Sequence, residues 1–179
     1  MNRISETFDA ITEICGKSVR SVSPGSVKML LDAIFGSRRI FIYGSGRSGL
    51  VGQLFAVRLV QLGFDVHFIG EMTTPITTRD DLIILLSNTG KTSSVVQTAR
   101  ITGRIGTRVI SLTATPDSEL ARVSDAVILF SLPENTDSLP LGSAFETSAH
   151  IFFECLVCEI MERGNIKEED MRKRHAIWV

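Results

Sequence analysis

The stretch Ile40-Phe41-Ile42-Tyr43-Gly44-Ser45-Gly46-Arg47-Ser48-Gly49 joins an apolar run to a glycine-rich loop, and a helix-like pattern follows it. A glycine-rich loop between a strand and a helix is a common phosphate-binding geometry, because the first backbone amides of the helix point at the ligand. We therefore predict that Gly46, Arg47 and Ser48 contact a phosphate, with the guanidinium and the hydroxyl adding to the backbone amides. The alternative is that the glycines only make a tight turn.

A second junction of the same kind lies further along the chain, where Leu82-Ile83-Ile84-Leu85-Leu86 leads into Ser87-Asn88-Thr89-Gly90-Lys91-Thr92-Ser93. The end of this loop looks like a P-loop, but a P-loop needs an earlier glycine at the position that Leu85 occupies. The predicted phosphate ligands of this loop are neutral groups at a helix N-terminus, which need no metal: Ser87, Asn88, Thr89 and Thr92. An ordinary helix cap with surface hydroxyls is the alternative.

The order of apolar and helical segments predicts an α/β protein. Two amphipathic helices come first, and the second begins at Ser23-Pro24. Strands are predicted at 39–43, 66–69, 82–87, 108–112 and 126–130, and helices at 48–62, 95–105, 118–123 and 144–161. Because the strands are continuous apolar runs without alternation, helices should cover both faces of a parallel sheet, in a three-layer α-β-α sandwich.

Length and composition fit one domain, since the chain has 179 residues and 44% hydrophobic content. We expect N-terminal helices over 1–36, a sheet core over 37–131, a rim loop at 133–140, and C-terminal helices with a tail over 143–179. The net charge of -1 gives no field that would attract nucleic acid or an anionic membrane. Without a signal-peptide pattern or an apolar run of roughly 20 residues, we expect a cytoplasmic protein.

Cysteine usage indicates reduced thiols. Cys15, Cys155 and Cys158 are an odd number of cysteines in apolar surroundings, which favours packing in the core over a disulfide framework or a zinc site. The last two belong to a predicted helix that is apolar nearly all the way round. Such a pattern predicts a helix that is buried within the protein or between subunits.

Taken together, these motifs resemble the sugar isomerase (SIS) domain family. Residues 44–49 match the first loop of that family, and residues 87–92 resemble its Ser-x-Ser-Gly-x-Thr loop, with Thr89 in place of the second serine. Within the family, the chain is most similar to the 6-phospho-3-hexuloisomerases, through residues 44–49, 70–75, 139–146 and 173–175. The resemblance covers nearly the whole chain.

The resemblance implies a flavodoxin-like sheet of five parallel strands and a homo-oligomer, commonly a tetramer, with sites near subunit interfaces. It also implies a phosphorylated sugar as the ligand, interconversion of D-arabino-hex-3-ulose 6-phosphate and fructose 6-phosphate, and no redox cofactor. The setting would be formaldehyde fixation by the ribulose monophosphate pathway, or pentose supply. Arabinose 5-phosphate isomerases and non-catalytic phosphosugar sensors use similar loops and stay open as alternatives. A dinucleotide-dependent oxidoreductase is a third, because the first loop fits the dinucleotide fingerprint.

The implied reaction needs a base that moves a proton between two neighbouring carbons, and we predict that Glu146 is this base. An acid that merely favours the first turn of a helix is the alternative for Glu146. His175 follows a predicted helix at 167–174. It is predicted to move a proton between substrate oxygens or to help open the cyclic sugar, unless it is a solvated tail residue. Glu71 is predicted to orient sugar hydroxyls, or else to cap a turn.

We predict no metal site. Glu146, His150 and Glu154 share one helical face at four-residue steps, which is also the spacing of a metal-binding helix. Divalent metals usually draw ligands from more than one element, and the same ladder fits a hydrogen-bonded seam in an oligomer.

Overall fold

The computed structural model describes residues 2–133 and 139–175. The strands are β1 (Ile40–Gly44), β2 (Val66–Phe68), β3 (Leu82–Leu86), β4 (Arg108–Thr113) and β5 (Ala126–Leu129). The helices are α1 (Arg3–Ser21), α2 (Pro24–Gly36), α3 (Gly46–Leu62), α4 (Ser93–Ile105), α5 (Glu119–Val123), α6 (Ser143–Gly164) and α7 (Glu168–Lys173). Most of the predicted rim loop lies outside the described residues. None of the described helices has the length and apolar character needed to cross a membrane.

All five strands pair in parallel, in the order β2-β1-β3-β4-β5. Successive residues of a strand point to opposite faces, so Ile42 and Ile84 pack against α2, α3 and α6, whereas Phe41 and Ile83 pack against α4 and α5. Every residue of β3 is buried, as expected for the middle of a covered sheet. The predicted three-layer sandwich with a flavodoxin-like parallel sheet is confirmed.

Glycines set how α3 and α4 join the sheet. Gly63 and Gly106 follow the two helices in the left-handed conformation, with φ of 98° and 86°, and turn the chain back toward the next strand. Gly52 faces the sheet, and a Cβ atom there would lie 3.0 Å from Ile42 Cγ2. Helix α3 therefore lies close against β1, which fixes the position of the loop between them.

A buried ion pair joins the central strands at their amino ends. Arg39, just before β1, donates from Nε and Nη2 to the two carboxylate oxygens of Asp81, just before β3, at 3.1 and 2.7 Å. The backbone amide and hydroxyl of Thr78 also donate to Asp81. Burial opposes ionisation of Asp81, but the hydrogen bonds from Arg39 and Thr78 outweigh it and hold the pKa of Asp81 below its ordinary value.

Helix α6 is only partly buried within one chain, so the first of the two predicted environments, burial within the protein, holds for one side of the helix only. One side packs on α3, where Phe153 stacks on Phe55 with the ring centroids 4.0 Å apart. The opposite side leaves Ile151, Cys155 and Cys158 exposed, because no described helix covers it. Core packing was thus predicted wrongly for Cys155 and Cys158, while the buried Cys15 agrees with the prediction.

Candidate active site

Both predicted phosphate loops lie at the carboxyl edge of the sheet, side by side. The chain leaves β1 toward α3 on one face and leaves β3 toward α4 on the other face. In a sheet of this strand order, the point where neighbouring connections diverge opens a crevice that commonly holds the ligand. The loops at 44–49 and 87–93 border this crevice, so the structure brings together the two motifs that the sequence predicted separately.

The first loop is a tight turn whose helix end stays open. A Cβ atom on Gly44 would lie 2.9 Å from the backbone nitrogen of Gly49, so the approach of strand and helix requires glycine. Gly46 has φ of 59°, which also favours glycine. Ser45 makes no side-chain hydrogen bond to the first turn of α3, and the buried Ser48 hydroxyl has no hydrogen-bond partner among the described residues. The first amides of α3 and this hydroxyl are therefore available to an anion.

Hydrogen bonds within the second loop arrange its hydroxyl groups. The Ser87 oxygen accepts from the Gly90 amide at 3.1 Å and lies 3.0 Å from the Thr92 hydroxyl. One of these two hydroxyls donates to the other, so a single O–H donor of the pair is left for a ligand. Thr92 precedes α4 but does not cap it, so the amides at the start of α4 also stay open. This arrangement differs from the ordinary helix cap that was the alternative.

Asn88 connects the second loop to the start of α6. Its backbone oxygen accepts hydrogen bonds from the Thr113 hydroxyl and the Ala114 amide, at 2.9 and 3.0 Å, which ties the loop to the end of β4. Asn88 also lines a cavity of about 240 Å³, together with Gly142 and Phe145. The second loop and the first turn of α6 therefore enclose a common space.

Glu146 lies in that first turn of α6, with its side chain only 11% exposed. Its backbone amide donates to the Gly142 oxygen at 3.1 Å. Gly142 has φ of 79°, and a Cβ atom on it would lie 3.3 Å from Glu146 Oε1. The carboxylate thus rests against Gly142, a residue without a side chain that lines the cavity.

Arg47 pairs with the predicted base. Its Nε donates a hydrogen bond to Glu146 Oε2, which joins the first loop directly to α6. A second pair, Arg58 with Glu154 at 3.2 Å, joins the same two helices further along. Glu146 and Glu154 of the predicted ladder therefore face arginines of α3. Among the residues described, no group of three or more His, Cys, Asp or Glu side chains is placed to hold a metal.

Three helix N-termini at the carboxyl edge lack a side-chain cap. These are the N-termini of α3, α4 and α6, which follow Ser45, Thr92 and Gly142. Side chains do cap α1, α2 and α5, namely those of Asn2, Ser23 and Ser118. Uncapped N-termini present unsatisfied amides and the positive end of the helix dipole. The crevice is therefore suited to an anionic ligand.

Two predicted site residues lie away from this cavity. Glu71 is exposed after β2 and lines a separate cavity of about 410 Å³ with Gln53 and Arg174. His175 follows α7, and the preceding Arg174 donates to the Gln61 oxygen at the far end of α3. From Arg47 to Gln61 is about 21 Å along the helix. His175 thus follows a residue that contacts the end of α3 far from the first loop.

The sequence reasoning missed the pairing of Arg47 with Glu146 and the role of Gly142. The two charged residues are 99 positions apart, with no local pattern to join them. Gly142 did carry a signal, since a glycine directly before an acidic first turn is a helix N-cap without a side chain.

Comparison with known proteins agrees with this geometry. The sequence profile of the SIS domain matches residues 33–151. A 3-hexulose-6-phosphate isomerase of Methanocaldococcus jannaschii is 39% identical to this chain, and the match covers 82% of this chain and 81% of the relative. A 3-hexulose-6-phosphate isomerase of Mycobacterium gastri is 33% identical, and the match covers 98% of this chain and 89% of the relative. The crystal structure of the hypothetical protein MJ1247 from Methanococcus jannaschii, for which a function of 3-hexulose-6-phosphate isomerase was inferred, has 34% identity. The structural match covers 97% of this chain and 99% of the MJ1247 chain, with a TM-score of 0.89. The chain therefore belongs to the SIS domain family and groups with its sugar-phosphate isomerases.

Proposed function

We propose that the protein interconverts D-arabino-hex-3-ulose 6-phosphate and fructose 6-phosphate. The observation that carries the proposal is the buried Glu146 carboxylate, which pairs with Arg47 of the first loop. The carboxylate also lies against Gly142, a lining residue of the cavity that the second loop shares. The relatives named 3-hexulose-6-phosphate isomerase support the choice of sugar. In the cell, this reaction would serve formaldehyde fixation by the ribulose monophosphate pathway, or pentose supply.

The two loops would hold the phosphate group. Backbone amides at Gly46 and Ser48, and the groups of the second loop (Ser87, Asn88, Thr89 and Thr92), surround the open ends of α3 and α4. Neutral donors and helix dipoles together offset the charge of a phosphate monoester. Glu71 lies one strand away on the same edge of the sheet, where we propose that it orients a sugar hydroxyl.

Glu146 would perform both carbon-centred proton transfers. It takes the proton from C2 of the hexulose, the electron pair of that C–H bond forms a C2=C3 double bond, and the carbonyl electrons move to O3. A proton then passes from O2 to O3. The electrons on O2 then form the new carbonyl at C2, and the electron pair of the C2=C3 double bond takes the proton back from Glu146, so that C3 is protonated. The atoms and electrons balance without a cofactor, and one carboxylate reaches both neighbouring carbons.

The proton that moves from O2 to O3 needs a carrier, and we propose His175 of a second copy. Within one chain, the preceding Arg174 contacts Gln61, near the opposite end of α3 from Arg47, so we propose that an assembly brings His175 to the site. Exposed apolar side chains offer surfaces for such an assembly, including Leu50, Leu54 and Val57 on α3 and Phe8 on α1. We propose a homo-oligomer, in line with the tetramer that the family resemblance implies.

A coupled assay tests the proposal. The purified protein is supplied with D-arabino-hex-3-ulose 6-phosphate, the appearance of fructose 6-phosphate is followed, and arabinose 5-phosphate is the parallel substrate. We expect turnover of the hexulose, and a fall in kcat by at least about 10²-fold in Glu146→Gln, because the base is lost and the shape is kept. Glu154→Gln is the matched control, since it removes the other arginine-paired carboxylate of α6 and should keep wild-type kcat.

Other outcomes would replace the proposal. Turnover of arabinose 5-phosphate alone would make the protein an isomerase of five-carbon sugars. If neither sugar reacts but both raise the melting temperature, the protein is a phosphosugar sensor without catalysis.

A further inference from the structure

Arg47 uses only one edge of its guanidinium in the structure. Nε donates to Glu146 Oε2, while neither Nη1 nor Nη2 has a hydrogen-bond partner among the described residues. The Arg47 side chain is 66% exposed, against 11% for that of Glu146. The guanidinium therefore holds the carboxylate on its inner side and leaves two nitrogen atoms, with up to four N–H donors, facing solvent at the carboxyl edge of the sheet.

The position of Arg47 is better suited to the reacting carbons than to the phosphate. The phosphate already has open amides and hydroxyl groups from both loops. To take a proton from carbon, the Glu146 carboxylate must come within about 3–3.5 Å of C2 or C3. A guanidinium bound to that carboxylate lies next to the same carbons. Its free Nη groups are then beside the oxygens that these carbons carry.

We propose that Arg47 is the electrophile of the isomerisation. Nε positions the Glu146 base, and Nη1 and Nη2 bind O2 and O3 and stabilise the negative charge of the enediolate. The planar fork of arginine matches two neighbouring oxygens in one plane, as it matches a carboxylate. The guanidinium stays protonated throughout, so the proton that moves from O2 to O3 passes through another group. This inference rests on the proposed isomerase function.

Two measurements distinguish an electrophilic role of Arg47 from a phosphate-binding role: kcat, and the inhibition constant of inorganic phosphate. In Arg47→Gln we expect kcat to fall by about 10²–10³-fold, as when one oxyanion donor is removed, with the inhibition constant of inorganic phosphate unchanged. A residue that binds phosphate would show the reverse: a weaker inhibition by about tenfold or more, and a kcat near that of the wild type.

Arg58→Gln is the matched control, because Arg58 lies on the same helix and pairs with Glu154 of α6 in the same way. It should keep both the wild-type kcat and the inhibition constant. A rescue experiment adds a readout that a purely structural role would not move. Guanidinium ion added to Arg47→Ala should restore part of the lost kcat, since it can occupy the vacated space and supply the same donors.

The possible failures are distinguishable. If the wild type converts the hexulose while Arg47→Gln keeps kcat and loses affinity for inorganic phosphate, the inference is overturned and the proposed function stands. If the wild type does not convert the hexulose, the proposed function fails, and the inference fails with it.

Discussion

The Glu146 carboxylate occupies the space over Gly142, where any other residue would carry a side chain. Gly142 also begins α6 with a left-handed φ of 79°, a conformation that favours glycine. A Cβ atom there would lie 3.3 Å from Oε1, closer than most such contacts. Gly142 thus has two independent reasons to be glycine, and one of them concerns the proposed base.

We expect Gly142→Ala to lower kcat by about tenfold or more, because a small displacement of a catalytic group is costly. The free energy of unfolding should also fall by about 1 kcal/mol or more, since alanine is strained at this φ. Steady-state kinetics and urea unfolding measure the two effects. Gly103→Ala on α4 is the control, as no atom lies within 4 Å of a Cβ atom added there. Wild-type kcat in Gly142→Ala would show that the carboxylate does not depend on this space.

At the residue scale, the sequence predicts the chemical role of single residues better than it predicts which distant residues they contact. Gly46, Ser87 and Thr92 could be assigned to an anion site because glycine and hydroxyl groups at a strand–helix junction have a local chemical meaning. The partner of Arg47 could not be predicted from the sequence, because the contact with Glu146 depends on how α3 packs against α6. That packing involves the stacked pair Phe55 and Phe153, whose contact the sequence pattern does not contain.

At the scale of elements, the amino ends of β1 and β3 are joined by Arg39 and Asp81. The Asp81 side chain is fully buried and that of Arg39 is 13% exposed. Removing one partner of such a pair leaves the other charge without compensation in the protein interior. The pair lies at the edge of the sheet opposite the crevice, so it should affect stability without affecting the chemistry.

Asp81→Asn should lower the free energy of unfolding by about 3 kcal/mol and leave kcat unchanged. Urea unfolding at several pH values measures this. Because the pKa of Asp81 is lowered in the folded protein, its contribution is fully present above the ordinary value of about 3.9. It is lost as the pH falls through the lowered pKa, so the wild type and the variant should converge in acid. Asp80→Asn, an exposed neighbour, is the control, and a difference that persists in acid would contradict the assignment.

The elements themselves were predictable to within three residues at their ends. Continuous apolar runs marked the buried strands, and Ser23-Pro24 marked the start of α2. The environment of α6 was not predictable, because its sequence is apolar around nearly its whole circumference. Only its packing against α1 and α3 shows that the side with Cys155 and Cys158 is the exposed one.

At the scale of the whole molecule, the strand order places both phosphate loops at one edge of the sheet. Arg174, next to His175, contacts Gln61 near the end of α3 that is far from these loops. The meeting of the two loops was predictable, because the loops follow strands that become neighbours in a flavodoxin-like sheet. The position of His175 relative to the two loops was not predictable, since it depends on where α7 packs on α3. We therefore propose that a site that uses both Glu146 and His175 is built from two chains.

Subunit complementation tests the shared site. Glu146→Gln and His175→Asn should each have low activity alone, and mixing them under conditions that exchange subunits should recover a measurable part of the wild-type rate. Recovery is expected because some mixed pairs contain one site with both native residues. Native mass spectrometry shows whether mixed assemblies have formed. Mixed assemblies without recovered activity would contradict a site shared between two chains.

The carbon atom of fructose 6-phosphate at which hydrogen from the solvent enters tests the central claim most directly. Fructose 6-phosphate is incubated with the protein in D₂O and followed by NMR. An enediolate between C2 and C3, formed by Glu146, predicts deuterium at C3 in the wild type and none in Glu146→Gln. Deuterium at C1 would mean that the carbonyl moves between C1 and C2, and would contradict the account. Deuterium at C3 in Glu146→Gln at the wild-type rate would show that another group is the base.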